Sequence, residues 1–189
     1  MIVLILGLFL FLGTHSVRMV APGLRERVMA HGGERAWMLP YTVISILGLV
    51  LIVWGYGLAR QEPIVLYAPP MGLRHLALLL MLPVFPLVAA AYAPGHIRAA
   101  LGHPMLIATI LWGGAHLIAN GTLADLFLFG GLAGWAAVDW VSSVRHPRKP
   151  AAARRPSIRA DVVAVLAGLA VYGLFLAGLH RMLFGVSPV

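Results

Sequence analysis

Long apolar segments separated by short polar ones dominate the chain. About 20 apolar residues, at a rise of about 1.5 Å per residue, cross a hydrocarbon core of about 30 Å. On this basis we expect about six transmembrane helices, over residues 2–20, 37–58, 71–92, 104–118, 123–141 and 161–183. The alternating segments of about ten residues that form an outer-membrane barrel are absent. The pattern predicts an all-α, polytopic helical membrane bundle, with residues 1–189 as a single transmembrane domain.

Turn residues mark the connections between these helices. We expect residues 21–35, which carry Gly32 and Gly33, to form a loop with one or two turns of interfacial helix. Pro83 and Pro86 fall inside the third span and are expected to kink it, which a helix bundle tolerates. Asp161 is expected at the amino end of the last helix, where a carboxylate is favourable.

The composition narrows the chemistry that the chain can carry. Of 189 residues, 61% are apolar and 11% are charged, and the mean hydropathy is +0.92, which excludes an ordinary soluble domain. Because the chain has no cysteine, disulfides, thiolate-bound zinc and cysteine-ligated iron–sulfur clusters are excluded. Six carboxylates are few for an oxygen-rich cation cage, so any metal site is expected to use the eight histidines.

The positive charges are distributed unevenly between the two sides of the predicted bundle. Eleven of the 14 cations fall on one side and three on the other, which predicts that both termini lie on the non-cytoplasmic side. The three are Arg60, Arg74 and Arg181; the eleven are Arg18, Arg25, Arg27, Arg35, Arg98, Arg145, Arg148, Lys149, Arg154, Arg155 and Arg159. Residues 142–160 are interpreted as a basic cytoplasmic loop. Because this segment has no aromatic residue, its expected partner is the anionic lipid bilayer and not nucleic acid.

Histidines inside the predicted spans are the main candidates for function, because polar groups at membrane depth are costly. His15 lies in the first span, with Arg18 three residues later. His116 lies in the fourth span, and Trp112 and Asn120, four residues to either side, share its helix face. His103 begins that span in a Gly-His-Pro sequence. The histidines at span ends, His75, His96, His146 and His180, are expected to be interfacial.

Deep histidines on separate helices suit haem b, whose iron can take one imidazole on each side. Arg18 and Arg98 are candidates to bind the propionates. A zinc or copper site is a weaker hypothesis, because the chain lacks His-x-x-His and His-x-x-x-His spacing. Hydrogen bonding between helices, with no cofactor, remains the alternative role for His15 and His116.

Two stretches of the chain resemble the NnrU family of bacterial membrane proteins. These are THSVRM, RERVMAHGGERAW and YTVIS in the first third, and GHPMLIATILWGGAHLIANGTLADLFLFGG in the middle. The resemblance implies a bacterial inner-membrane protein associated with denitrification, where members are linked to expression or assembly of nitrite and nitric oxide reductases. A distant relative is the plant zeta-carotene isomerase, a haem b membrane enzyme acting on an apolar polyene, so the resemblance also implies a redox or isomerase-like activity on an apolar small molecule.

The resemblance implies His15 and His116 as the axial ligands of the haem. The isomerase has a cysteine where this chain has Gly113, so a thiolate ligand is not expected. The two histidines differ in predicted depth by roughly 12 Å, whereas two axial ligands must lie at one depth. Helix tilt reduces this difference, and His103 is the substitute ligand.

Two other functions remain open alongside the haem hypothesis. The first is a cofactor-free membrane assembly or transport factor, in which the histidines are structural. The second is a membrane methyltransferase, which the His103-Pro104 helix start resembles. Those methyltransferases carry paired glutamates near the carboxyl end, whereas this chain has no glutamate after Glu62.

Overall fold

The computed structural model describes residues 1–146 and 155–188, and these residues are largely α-helical. Residues 147–154, the centre of the predicted basic loop, lie outside the described residues. The helices are α1 (Ile2–Val20), α2 (Leu24–Ala59), α3 (Met71–Met81), α4 (Val84–Ala90), α5 (His96–Leu101), α6 (Pro104–Ala119), α7 (Leu123–Asp125), α8 (Gly131–Arg145), α9 (Ile158–Leu174) and α10 (His180–Phe184). Two π-helical segments, Leu126–Gly130 and Phe175–Leu179, join α7 to α8 and α9 to α10.

The all-α membrane class predicted from the sequence is confirmed. Five helical stretches are long and apolar enough to cross a bilayer: Ile2–Val20, Leu24–Ala59, Met71–Ala90, Leu123–Arg145 and Ile158–Phe184. The sixth expected span corresponds to α6, which has 16 residues and a length of about 24 Å. Six crossings and the orientation of the termini therefore stay predictions.

Two expectations about helix ends need correction. The loop expected over residues 21–35 is mostly helical, because α2 begins at Leu24 and continues through a kink at Gly33, whose φ of 74° and ψ of −179° interrupt the helical geometry. The third span is broken as well as bent, since α3 ends at Met81 and α4 begins at Val84, with Pro83 between them. Pro86 is accommodated within α4.

The chain folds into two compact units. The first consists of residues Met1–Leu66 and Thr122–Gly131, in which α1 packs along α2. Glycines bring these two helix backbones into contact: a methyl group at Gly48 would lie 2.8 Å from the Phe11 nitrogen, and one at Gly7 would lie 2.5 Å from the Ile52 nitrogen. Such close approach is typical of helix pairs in membranes.

The second unit consists of Tyr67–Gly121 and the described residues from Leu132 onward. In it α4 packs against α6 and α9, and α3 packs against α6. Gly168 on α9 touches the backbone of Pro86, and the Tyr172 hydroxyl donates a 2.9 Å hydrogen bond to the Leu78 carbonyl. That carbonyl lies near the break between α3 and α4, so α9 supports the interrupted helix.

Much of the outer surface of the described residues is apolar. Phe9, Val53, Leu79, Val163 and Met182 are each at least 64% exposed. Large apolar side chains on the outside of long apolar helices are stable in lipid and unfavourable in water. The protein is therefore a membrane protein whose helices contact a lipid bilayer.

Candidate functional site

His116 lies in the last turn of α6, and the helix itself positions its ring. Nδ1 lies 2.8 Å from the carbonyl oxygen of Trp112, and the Trp112 and His116 ring centres are 4.9 Å apart. Asn120 ends the helix by donating from its backbone nitrogen and its Nδ2 atom to the His116 carbonyl, at 2.8 and 2.9 Å. The predicted alignment of Trp112, His116 and Asn120 is present as direct contacts.

This arrangement fixes the tautomer of His116. A carbonyl oxygen only accepts hydrogen bonds, so Nδ1 carries the proton and the lone pair of the neutral ring resides on Nε2. Metal-binding histidines are held in the same way, with one ring nitrogen donating to a carbonyl and the other available in the form that coordinates. His116 is half-buried. The donor chemistry therefore fits an imidazole ligand of haem iron.

His15 has the same local geometry in the first unit. Its Nδ1 lies 2.7 Å from the Phe11 carbonyl, and its ring packs against the rings of Phe11 and Tyr41, with centre separations of 4.3 and 5.4 Å. His15, Tyr41 and Ser45 line an open concavity of about 240 Å³. The Ser45 hydroxyl oxygen is buried and has no hydrogen-bond partner among the described residues, which suits a bound polar group.

Arg18 lies one turn after His15 and is half-buried, within electrostatic range of the Tyr41 phenol. Arg98, the other predicted propionate partner, lies in α5 of the second unit and is exposed. An arginine at the boundary of a membrane helix can bind a carboxylate with charge-assisted hydrogen bonds. The predicted role of Arg18 beside His15 stays a prediction.

His103 has a structural role at the start of α6. Its carbonyl accepts hydrogen bonds from the nitrogens of Leu106 and Ile107, at 3.1 and 3.3 Å, and Pro104 follows in the first turn. His103 precedes His116 by thirteen residues on one helix, a separation of about 20 Å along the axis. These two histidines therefore cannot bind one metal ion together.

The position of His180 near His116 was not predicted from the sequence. This residue begins α10, and its ring centre lies 6.5 Å from that of His116, with the two ring planes inclined by 25°. Phe175 and Phe184 pack around it at 6.3 and 5.0 Å. His180 follows His116 by 64 residues, and the only sequence signal was a histidine at the end of an apolar span.

The predicted axial pair, His15 and His116, has one member in each compact unit and stays a prediction. Within the described ranges, no group of three or more histidine, aspartate or glutamate side chains converges to hold a metal ion.

A buried polar cluster in the first unit was also missed. Asp125 is 4% exposed and accepts a 2.6 Å hydrogen bond from the Tyr56 hydroxyl. It also accepts from the Thr122 nitrogen and hydroxyl, at 2.9 and 2.6 Å, while its own nitrogen donates to the Thr122 hydroxyl. This capping box begins α7. The Thr-Leu-Ala-Asp sequence contains the helix-start signal, but the contact with Tyr56 crosses 69 residues.

Comparison with known proteins identifies the family of the chain. The family model described as NnrU protein matches residues 3–188, nearly the whole sequence. No curated protein and no solved structure matches. Since the family model covers almost every residue of both compact units, the chain belongs to the NnrU family.

Proposed function

We propose that this chain is a membrane-embedded haem b-binding protein in which His116 would hold the haem iron. The observation that carries the proposal is the hydrogen bond between His116 Nδ1 and the Trp112 carbonyl, which orients the imidazole at a half-buried position of an apolar helix. A neutral imidazole with its Nδ1 proton engaged is the ligand form that haem iron takes from a protein.

Haem b would supply a one-electron or Lewis-acid centre whose potential depends on its ligands and surroundings. The residues around His116 are suited to controlling such a centre. Trp112 presents an aromatic face beside the ligand, and Asn120 fixes the end of the helix that carries it. The apolar surroundings would favour an apolar substrate or an electron partner in the membrane over water-soluble reactants.

For the biological role, we propose multi-pass insertion in a bacterial inner membrane and a redox or isomerase-like step that serves denitrification. This part rests on the family resemblance, which links members to the nitrite and nitric oxide reductase machinery. The contacts of His116 support the proposal of haem binding and do not identify a substrate.

A cofactor-free assembly or transport factor is the second candidate. One observation favours it: exposed His31 makes the same contact, with Nδ1 2.8 Å from the Arg27 carbonyl. The bond to the preceding turn is therefore a common helical geometry and does not by itself require a ligand. Burial and an aromatic environment distinguish His116 from His31.

The test is a reduced-minus-oxidised absorption spectrum of the detergent-purified protein after reconstitution with hemin. We expect a sharp α band of low-spin haem b in the wild type and its loss or broadening in His116→Ala. His31→Ala is the matched control, because it removes an imidazole with the same helical hydrogen bond from an exposed position. A wild type that binds no haem would leave the cofactor-free factor as the better hypothesis.

A further inference from the structure

The open concavity between α1 and α2, in the first unit, has a polar end and an apolar end. Most of the residues that line this α1–α2 concavity lie on one face of α2. Along that face the hydroxyl-bearing residues come first and the aliphatic residues follow within about 12 Å of helix axis: Tyr41, Thr42 and Ser45, then Ile46 and Leu49. Because the apolar part of α2 begins near residue 37, the hydroxyl groups lie closer to the membrane boundary than the aliphatic groups.

Ser45 is the lining residue that points to a ligand. Its hydroxyl oxygen is buried and has no hydrogen-bond partner among the described residues. A hydroxyl in an apolar helix commonly donates to the carbonyl four residues earlier. Thr14, Ser16 and Thr109 do so, at 2.7, 2.7 and 2.9 Å. Because an unpaired buried hydroxyl is unfavourable, Ser45 is suited to bind a polar atom of a molecule that enters the concavity.

Aromatic rings form the walls around the polar end. The ring centre of His15 lies 4.3 Å from that of Phe11 and 5.4 Å from that of Tyr41. Trp37 extends this cluster, with its ring centre 5.9 Å from that of Tyr41. Aromatic side chains pack favourably on other flat, unsaturated rings. The walls therefore favour a ligand whose head is a flat ring over one whose head is a flexible aliphatic chain.

Charge and size narrow the ligand further. None of the described residues that line the concavity is a carboxylate, and Arg18 lies within electrostatic range of the Tyr41 phenol. A cationic head is therefore disfavoured, and an oxygen with partial negative charge is favoured. The volume of about 240 Å³ is smaller than the roughly 300 to 1,000 Å³ of a pocket that encloses a whole drug-sized ligand. It would hold the head of a ligand whose tail lies in the lipid.

We propose that the α1–α2 concavity binds the carbonyl-bearing ring of a quinone-like, lipid-soluble molecule. The Ser45 hydroxyl donates a hydrogen bond to a ring carbonyl, and the ring of Tyr41 packs on the head of the ligand. The apolar tail passes Ile46 and Leu49, which are exposed toward the lipid. Binding at this site does not require the haem proposed above, so the two proposals are tested separately.

The experiment titrates the full chain in detergent, without hemin, with a decyl-substituted benzoquinone and follows the quenching of tryptophan fluorescence. We expect saturable quenching in the wild type, and its loss in Trp37→Phe because Trp37 lies beside Tyr41. Ser45→Ala should raise the dissociation constant about five-fold through loss of one hydrogen bond. Ser16→Ala is the matched control and should bind like the wild type, since the Ser16 hydroxyl donates within α1.

The melting temperature separates ligand binding from a structural role of Ser45. Without ligand, Ser45→Ala should melt at or slightly above the wild-type temperature, because it removes an unpaired buried hydroxyl. The quinone should raise the melting temperature of the wild type more than that of Ser45→Ala.

Four results would overturn the inference. Equal dissociation constants for Ser45→Ala and Ser16→Ala would exclude the hydrogen bond, and saturable quenching that persists in Trp37→Phe would place the ligand elsewhere. Quenching that rises without saturation would show partition into the micelle only. Displacement of the quinone by an equimolar amount of phosphatidylcholine would assign the concavity to a bilayer lipid. A chain that binds hemin and not the quinone would leave the proposed function standing without this site.

Discussion

The carboxylate of Asp161 caps the amino end of α5, because its Oδ2 atom accepts a 2.9 Å hydrogen bond from the backbone nitrogen of His96. The same oxygen lies 2.9 Å from His96 Nδ1, and Oδ1 accepts from the Ile97 nitrogen at 3.0 Å. Asp161 itself lies in the first turn of α9. One carboxylate therefore complements the positive ends of two helices, its own and that of α5.

We expect Asp161→Ala to loosen α5, because two backbone N–H groups at its first turn lose their acceptor. Hydrogen exchange at the His96 and Ile97 amides should accelerate, and the melting temperature in detergent should fall by a few degrees. Asp161→Asn should be intermediate, since its amide oxygen can accept one of the bonds. Glu62→Gln, which removes an exposed carboxylate, is the control. Wild-type exchange rates in Asp161→Ala would contradict the capping role.

The clearest sequence signals were the uninterrupted apolar runs. The first helix was predicted over residues 2–20 and occupies Ile2–Val20. A uniform apolar segment that is bounded by a turn defines where the helix ends. The segment 21–35 is more helical than expected, because the helix that begins at Leu24 is longer than the predicted one or two turns. Gly33, interpreted as a turn residue, does interrupt the helical geometry, with a φ of 74° and a ψ of −179°, but the helix resumes directly after it. Composition does not distinguish a glycine that ends a helix from one that kinks it.

Only some contacts of the candidate site could be predicted from the sequence, for a similar reason. The contacts of Trp112, His116 and Asn120 follow from a spacing of four residues, which the α-helix brings onto one face. The approach of His180 depends on a π-helical turn and on the unusual backbone of Gly178. Neither has a dependable signature in a single sequence, so the second ring near His116 could not be predicted.

Tyr56→Phe should destabilise the first unit by removing the hydroxyl that donates to buried Asp125. Loss of one donor to a buried carboxylate costs about 1 to 3 kcal/mol of unfolding free energy. The ring contact with Phe129, at 6.0 Å between centres, is retained in the variant. Unfolding in mixed detergent micelles measures the effect, with Tyr92→Phe as the control because Tyr92 is 78% exposed. Equal stability of the two variants would show that the hydrogen bond contributes little.

Gly55→Ala should separate α1 from α2, whereas Gly57→Ala on the same helix should not. A methyl group at Gly55 would lie 2.7 Å from Leu4 Cα, while one at Gly57 has no heavy atom of the described chain within 4 Å. Overpacking against a backbone costs about 1 to 3 kcal/mol. The alanine at position 57 should be neutral or slightly stabilising, because alanine favours the helix. Comparable melting temperatures of the two variants would contradict this packing.

Gly178→Ala tests whether the backbone distortion before His180 matters for the fold. The φ of 139° at Gly178 is rarely adopted by a residue with a Cβ atom, so alanine there must either strain the chain by about 1 to 3 kcal/mol or change the path of the helix. Gly173→Ala is the matched control, since Gly173 lies in the same stretch, has no positive φ and has space beside it. We expect Gly178→Ala to lower the melting temperature relative to Gly173→Ala, because either outcome strains or redirects the chain before His180. Equal melting temperatures of the two variants would contradict this strain.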